Sequence, residues 1–442
     1  MIKNISKFFV FASLFFTIQT VQADTCRILD KEEEALQCRV DMIVRAKSEL
    51  LVSTYIIRED AVGLGLLKLM IECAARGVKV KMILDSFGKD IPNSLLDYLT
   101  EKGVEIHSFN QVRLFAPHTI TDRLHEKVML TDVEHIIVGG RNLTSAYYKL
   151  EPEGNFLDRE MYAISKKVAD ELRTHFFTMW NRPKLTQKKK HKPLTDENRL
   201  LWQKKLDEAW QAVMEKTKVV HDSQIDWLQG SITTQTHATY DNFVLKQNGQ
   251  IIPAERKNRR GTKQLISLID SAKYSIDIEN PYFHPTKKWE KAFKKALRRG
   301  VKIRVVTNSE CTNDVLLMQS VYRRSRGKYL KMGISLSEFE GNATLHTKSF
   351  VIDSTVAIVG SYNIHSVSEK RNAEVCLWVH DKTIALQTLA AMSRCLSSAK
   401  PIDNTKHNRS IWHIEKNAQC SKKHFKYILN IHTLGCWLNW YL

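Results

Sequence analysis

The chain carries one long stretch twice. ARGVKVKMILDS, through Gly77 to Ser86, returns as RRGVKIRVVTNS, through Gly300 to Ser309. In each copy a helical pattern (Leu66 to Ala75; Trp289 to Leu297) stops at the glycine and gives way to a strand of alternating Val and Ile. A second strand opened by Ala-Lys precedes it, AKSELLVSTYII in one copy and AKYSIDIENPYF in the other. A duplicated strand, helix, strand order predicts two similar α/β lobes, each a mixed β-sheet flanked by helices, and excludes an all-helical bundle or an all-β sandwich.

The repeat continues downstream. LHEKVMLTD, Leu124 to Asp132, is answered by LHTKSFVID, Leu345 to Asp353, at nearly the offset that separates the two glycines. In an extended strand residues two apart share a face. His125 should therefore project with Lys127, and His346 with Lys348, while Glu126 and Thr347 face the other way. Asp132 and Asp353 stand where each strand turns, and Ile136-Ile137-Val138 and Val356-Ala357-Ile358-Val359 return it, so each unit reads as a hairpin. The return strands end in Gly139-Gly140-Arg141-Asn142 and Gly360-Ser361-Tyr362-Asn363. Glycine allows close backbone approach and asparagine offers amide donors.

A phosphodiester in such a cleft would meet two imidazoles, two ammonium groups and two amides. Lysine binds phosphate oxygens as a compact charge. With two histidines, one can attack phosphorus and form a covalent intermediate while the other moves the proton of the leaving and entering alcohols. The arrangement calls for no cofactor and no metal, since lysines stand where a two-metal phosphodiesterase would need carboxylates.

LHEKVMLTD…GGRN and LHTKSFVID…GSYN resemble the paired HKD motifs of the phospholipase D superfamily. ENPYFHPTKKWEKAFKKALRRGVKIRVVTNS, Glu279 to Ser309, is similar to bacterial cardiolipin synthases of that type, and GGRNLTSAYY, FLDREMY and NAEV (Asn372 to Val375) resemble their segments after each motif. The resemblance implies two pseudo-symmetric phospholipase D-like lobes with the active site at their interface and a two-step transfer through a phosphohistidine. It gives catalytic roles to His125, Lys127, Asp132, His346, Lys348 and Asp353, with the two aspartates holding their hairpins. It places Asn142, Ser361 and Asn363 at the substrate, sets Glu374 to orient His346 and Asp158 to orient His125, and makes His125 the nucleophile. Two departures from symmetry stand out: Gly140 occupies the place of Ser361, and Asp158 lies further from His125 along the chain than Glu374 does from His346. Glu160 is the alternative acid for that reason.

The rest of the chain frames this core. Residues 1–23 have the basic start, short apolar run and small-residue end of a secretory signal, the run being shorter than the roughly 20 residues that span a bilayer. Export, to the periplasm or beyond, is the expectation, with a mature chain from Asp24. Residues 24–180 form the expected first lobe and 263–400 the second. Residues 181–262 are expected to hold a basic linker (NRPKLTQKKKHK) and an inter-lobe helix over Glu197 to Thr217, with Leu200, Leu201, Leu206, Trp210 and Val213 on its apolar face. Residues 401–442 form a tail in which Trp412, Phe425, Tyr427, Trp437, Trp440 and Tyr441 mix with Lys422, Lys423 and Lys426, a composition suited to a membrane interface. Eight cysteines fit an oxidising compartment, with Cys26–Cys38 and Cys420–Cys436 as candidate pairs and Cys73 as a buried thiol. A formal charge of +19 favours anionic partners, phospholipid surfaces or nucleic acid. The leading expectation is a phospholipase D or phosphatidyltransferase at a membrane surface using water or an alcohol as acceptor. The alternative is an exported nuclease of the same superfamily. Both motifs lie in one chain, so a monomer suffices.

Overall fold

The computed structural model describes residues 24–111, 121–182, 186–188, 192–217, 232–234, 236–240, 243–245, 251–253 and 259–405. The signal-like segment 1–23 and the aromatic tail beyond residue 405 lie outside these.

Two mixed sheets form the body. The nine-stranded first sheet runs through Thr186–Lys188, Glu105–Phe109, Lys79–Asp85, Glu49–Thr54, Val128–Thr131, His135–Gly139, Glu160–Ile164, Asp24–Leu29 and Ile232–Thr234. The eight-stranded second sheet runs through Thr236–Tyr240, Val375–His380, Val356–Gly360, Ser349–Ile352, Ser275–Glu279, Lys302–Asn308, Ser335–Phe339 and Ala399–Ile402. Six strands of each follow the same order and sense. The three from the strand-helix-strand repeat are parallel, and the motif hairpin and the strand after it are antiparallel. The duplication read from the chain is thus a duplication of topology, and the helices Ala61–Ala75 and Lys287–Arg298 are the crossovers that parallel pairing requires.

The packing makes five layers. On the outer face of the first sheet the helices Glu32–Arg45, Ala61–Ala75, Asn93–Glu101 and Asp196–Lys216 share one apolar cluster. On the outer face of the second lie Arg260–Ser271, Lys287–Arg298 and Leu316–Met332. The inner faces of both sheets and the helices Lys166–Trp180 and Lys382–Leu396 form a third cluster, in which Leu130, Ile136 and Val138 of one lobe join Val351, Val359 and Leu377 of the other. A buried pair pins the lobes: Arg159 donates to Glu279 at 2.7 Å and to the Ser349 hydroxyl at 3.1 Å, and the Thr347 hydroxyl donates to the same Glu279 oxygen at 2.9 Å.

Three expectations change here. The helix expected over Glu197 to Thr217 forms as Asp196–Lys216, but it packs on the outer face of the first lobe instead of between the lobes, and buries Trp202, Leu206, Ala209 and Val213, while Leu200 is 67% and Leu201 42% exposed. The close approach needs Gly65, where a Cβ would stand 2.8 Å from Val213. Thr186–Lys188, within the lysine-rich stretch, pairs with Phe109 to His107 as an edge strand. Cys26 and Cys38 are buried free thiols, because Cys26 belongs to the inter-lobe cluster and Cys38 to the outer one across the sheet. Cys73 is a buried free thiol as expected, and Cys311 is disulfide-bonded. The pair Cys420–Cys436 lies outside the described residues. Among the described residues no helix is long and apolar enough to cross a membrane.

Candidate active site

Each hairpin delivers its histidine and lysine to the seam between the lobes. The Lys127 ammonium donates to the carbonyl of His125, and that of Lys348 to the carbonyl of His346, so both pairs curl over one edge. The residues between them turn away as the pleat requires: Glu126 accepts from Ser53 at 2.7 Å and pairs with His175 at 2.6 Å, and Thr347 reaches Glu279. At the far end, roughly 16 Å from the lysines at ~3.3 Å per residue, the chain turns through left-handed backbone at Asp132 and Val133 and at Asp353 and Ser354. The Asp132 carboxylate accepts from the amides of Lys47 and Ser48 at 2.8 and 2.7 Å, and Asp353 from Lys273, Tyr274 and Ser275 at 2.8, 2.6 and 2.9 Å. Both motif aspartates therefore tie the hairpin turn to the start of the neighbouring strand, away from the imidazoles.

The orienting acids are exchanged between lobes. His125 Nδ1 donates to Glu374 at 2.9 Å, and His346 Nδ1 lies 2.6 Å from Asp158. This corrects the assignment of Glu374 to His346 and of Asp158 to His125. The cause is in the backbone. The His125 amide donates to the carbonyl of Ala373, the residue before Glu374, at 3.0 Å, and the His346 amide to that of Leu157, the residue before Asp158, at 2.7 Å. Parallel pairing of Leu124 with Ala373 and of Thr344–Leu345 with Phe156–Leu157 sets that register, so each acid arrives beside the histidine of the opposite lobe. Glu160, the alternative acid, is buried against Arg39 in a bidentate pair and is not at either histidine.

Below each acid sits the residue at which the copies differ. Ser361 donates to Glu374 at 2.6 Å, and Ser368 and Asn372 donate to the other carboxylate oxygen at 2.6 and 3.2 Å. Gly140 has the Asp158 carboxylate in the space that its own Cβ would fill, 2.3 Å from both oxygens. Asn142 is not free for a substrate: its oxygen accepts from the Ile56 amide at 3.0 Å and its amide donates to the Tyr147 hydroxyl at 2.9 Å. The Asn363 side-chain oxygen is buried without a partner among the described residues.

Burial pushes the Glu374 carboxyl up, but His125, Lys127 and Ser361 outweigh it and hold the group down at about 2. Asp158 is lowered in the same way, burial being overcome by Lys348 and His346. Burial takes Lys127 down to about 7 and Lys348 to about 8, with mutual repulsion contributing to the fall of Lys127. Burial and then Lys348 push His346 down to about 3, and burial also lowers His125, opposed by Glu374. Two buried ammonium groups, Lys127 repelled by Lys348 and Lys348 lying 2.6 Å from His346 Nδ1 and 3.7 Å from Asp158, make a cationic pocket that an anion stabilises.

Several contributors were not singled out from the chain. Tyr55 lies over His125 with ring centroids 5.4 Å apart, and Tyr147, Phe156 and Tyr282 surround His346 at 5.2, 5.5 and 6.3 Å. Asp85 and Asn308 occupy equivalent places in the repeat and hold equivalent backbone: Asp85 accepts from the Leu124 amide at 2.7 Å, and Asn308 accepts from the Leu345 amide at 2.9 Å. The repeat alignment carried that signal, since both end the second strand of the strand-helix-strand repeat, Lys79–Asp85 and Lys302–Asn308.

Known proteins match this arrangement. A family model described as "Cardiolipin synthase, PLD-like domain" matches residues 40–180 and 265–396, one match per lobe. The chain is 27% identical to cardiolipin synthase C of Escherichia coli, over 81% of this chain and 81% of that protein. It is 24% identical to cardiolipin synthase B of Salmonella typhi, over 94% and 91%. The solved structure of phosphatidylserine synthase from Haemophilus influenzae Rd KW20 shares the fold, with a TM-score of 0.64 at 12% identity over 94% of this chain and 95% of that one. With both lobes matched and both motifs brought to one seam, the chain belongs to the phospholipase D superfamily, in its cardiolipin synthase, PLD-like domain family.

Proposed function

We propose that this enzyme transfers phosphatidyl groups between alcohols at glycerophospholipid phosphodiester bonds, through a phosphohistidine. The observation that carries the reading is the Glu374–His125 pair. An ionised Glu374 only accepts, so Nδ1 of His125 keeps the proton and Nε2 presents a lone pair. Nε2 attacks phosphorus, the bond from phosphorus to the leaving alcohol breaks, and His346 gives its proton to that oxygen. In the second step an alcohol or water gives its proton to His346, its oxygen attacks phosphorus, and the phosphorus–nitrogen bond breaks. Lys127 and Lys348 hold the non-bridging oxygens. Burial first, and repulsion by Lys348 second, keep His346 neutral; the phosphodiester anion opposes both and so raises its pKa toward that of a working acid.

The names of the relatives, cardiolipin synthases and a phosphatidylserine synthase, support a phospholipid substrate. The positive charge supports peripheral work at an anionic membrane surface, and the disulfide at Cys311 supports export to the periplasm or beyond. A single chain supplies both motifs, so the working form is a monomer. The test offers purified protein labelled phosphatidylglycerol, phosphatidylcholine and plasmid DNA, followed by acid quench and peptide mapping of the label. Label in the His125 peptide with lipid is the expected result. Cleavage of DNA with both lipids untouched replaces the reading with a nuclease, and label at His346 reverses the roles of the histidines.

A further inference from the structure

We infer that Tyr147 divides the labour between the two histidines: its hydroxyl covers Nε2 of His346, so that phosphorus is attacked from His125 and His346 is reserved for moving protons. This rests on the phosphatidyl-transfer reading above and names the positioning residue that sets its direction. Tyr147 is 3% exposed, in the one-turn helix Ser145–Tyr148 after the first motif's return strand. Its ring stacks on Phe156 with centroids 4.6 Å apart and stands edge-on to His346 at 5.2 Å. Its hydroxyl oxygen lies 3.5 Å from Nε2 of that imidazole, a long hydrogen bond across the seam. In the second copy the same place, five residues after the asparagine, holds Ser368, whose hydroxyl donates to Glu374 at 2.6 Å instead. Among the described residues no side chain bonds to Nε2 of His125, whose Nδ1 is held by Glu374.

The direction of that bond follows from its neighbours. The Ile56 amide can only donate, so the Asn142 oxygen faces it at 3.0 Å and the Asn142 amide faces Tyr147 at 2.9 Å. The phenol oxygen therefore accepts from Asn142, and its own proton has Nε2 of His346 as acceptor. On the other side of the ring an ionised Asp158 only accepts, which keeps the imidazole proton on Nδ1. The Lys348 ammonium, 2.6 Å from that nitrogen, donates to the His346 carbonyl. The lone pair that His346 would need to attack phosphorus is thus occupied, and that of His125 is open. A hydrogen bond donated to Nε2 favours neutral His346, in the opposite sense to Asp158. The other titratable groups facing the ring are Lys127, which also disfavours its protonation, and Tyr282, edge-on at 6.3 Å. A proton taken up on Nε2 displaces the phenol's hydrogen, so the cover ends when His346 becomes the acid.

The test uses the purified full chain and a short-chain phosphatidyl nitrophenol, radiolabelled at phosphorus, in mixed micelles. Nitrophenolate release counts the first step, and an alkaline denaturing quench followed by peptide mapping locates the label. The wild type should carry label in the His125 peptide, and His125→Ala should carry almost none. Adding Tyr147→Phe to His125→Ala uncovers Nε2 and should raise label in the His346 peptide by about threefold to tenfold, the scale of one hydrogen bond. Tyr147→Phe alone keeps the ring but loses the donor, so the alkaline limb of its kcat profile should move to higher pH by roughly half a unit to one unit. A purely structural role would lower stability without moving either reading. Should the variants fail to fold, nitrogen NMR of histidine-labelled wild type decides, with His346→Gln assigning the signal. A resting His346 protonated on Nδ1 is expected, and one protonated on Nε2 overturns the inference. So do an unlabelled His346 peptide in a folded double variant and an unmoved alkaline limb in Tyr147→Phe. Label at His346 in the wild type, or no phenol release from it, overturns the reading above and this inference with it, whereas wild-type label at His125 with an indifferent Tyr147→Phe overturns the inference alone.

Discussion

Gly140 lies so close under Asp158 that a Cβ there would stand 2.3 Å from both carboxylate oxygens. Gly140→Ala must displace either the strand end or the acid. We expect a stability loss of about 1–3 kcal/mol from overpacking, and a fall in turnover far larger than in Ser361→Ala, which removes a donor to Glu374 and an acceptor for the Val375 amide but inserts nothing. Denaturant titration and rate measurement on both variants check this. Equal, small effects would show that Asp158 tolerates movement.

The exchanged acids predict crossed pH effects. Glu374 supports the protonated form of His125, so Glu374→Gln should lower the pKa of His125 further and move the acidic limb of the activity profile to lower pH, if His125 acts unprotonated. Asp158→Asn lowers that of His346, the proton donor, and should move the alkaline limb to lower pH. Profiles of kcat for the two variants check the assignment. Shifts on the same limb would contradict it.

His125→Ala and His346→Ala should each remove nearly all turnover, and the double variant should be little worse than either, because the two act as one unit. Losses that multiply would indicate independent roles. Activity should persist in EDTA, since the lysines supply the positive charge that a metal would otherwise bring.

Arg159→Leu leaves Glu279 buried without its guanidinium partner, with both side chains at most 1% exposed in the native pair. Breaking such a pair costs about 3–5 kcal/mol. Chemical denaturation reads the loss directly, and a change below about 1 kcal/mol would mean that the inter-lobe seam relaxes around the missing group.

Burial above all holds His346 and His365 down at about 3 and His284 at about 4. Their folded values lie below the ordinary histidine value of about 6.5, so beneath that pH the unfolded chain binds more protons and each contributes stability that is lost as pH falls. Glu374, at about 2, extends the loss below the ordinary glutamate range. Asp85 and Glu310, raised by burial to about 6 and about 7, act in the opposite sense and are fewer. Unfolding free energy should therefore decline between pH 6 and pH 4, at up to about 1.4 kcal/mol per pH unit for each uncompensated group. Denaturation curves over that range check the sign.

The hairpins, the shared face of each histidine and lysine, and the turn role of Asp132 and Asp353 were legible because they depend on a period of two and a short return. The partner of each acid was not. Chain order places Asp158 after His125 and Glu374 after His346, and only the pairing of Leu124 with Ala373 and of Leu345 with Leu157 reverses this. Segment 196–216 read correctly as a helix, but its apolar residues lie on more than one side, and the surface of the first lobe chose Trp202 over Leu200 and Leu201. Cys26 and Cys38 are near in sequence and lie on opposite faces of a sheet, a separation that spacing does not record.

The crossing of the acids also binds the two copies in descent. Once a duplicated chain had placed each carboxylate beside the other copy's imidazole, neither copy was free to drift alone, because a change in one was felt in the chemistry of the other. Glycine beneath an aspartate in one copy, and serine beneath a glutamate in the other, are two locally matched solutions reached within that joint constraint.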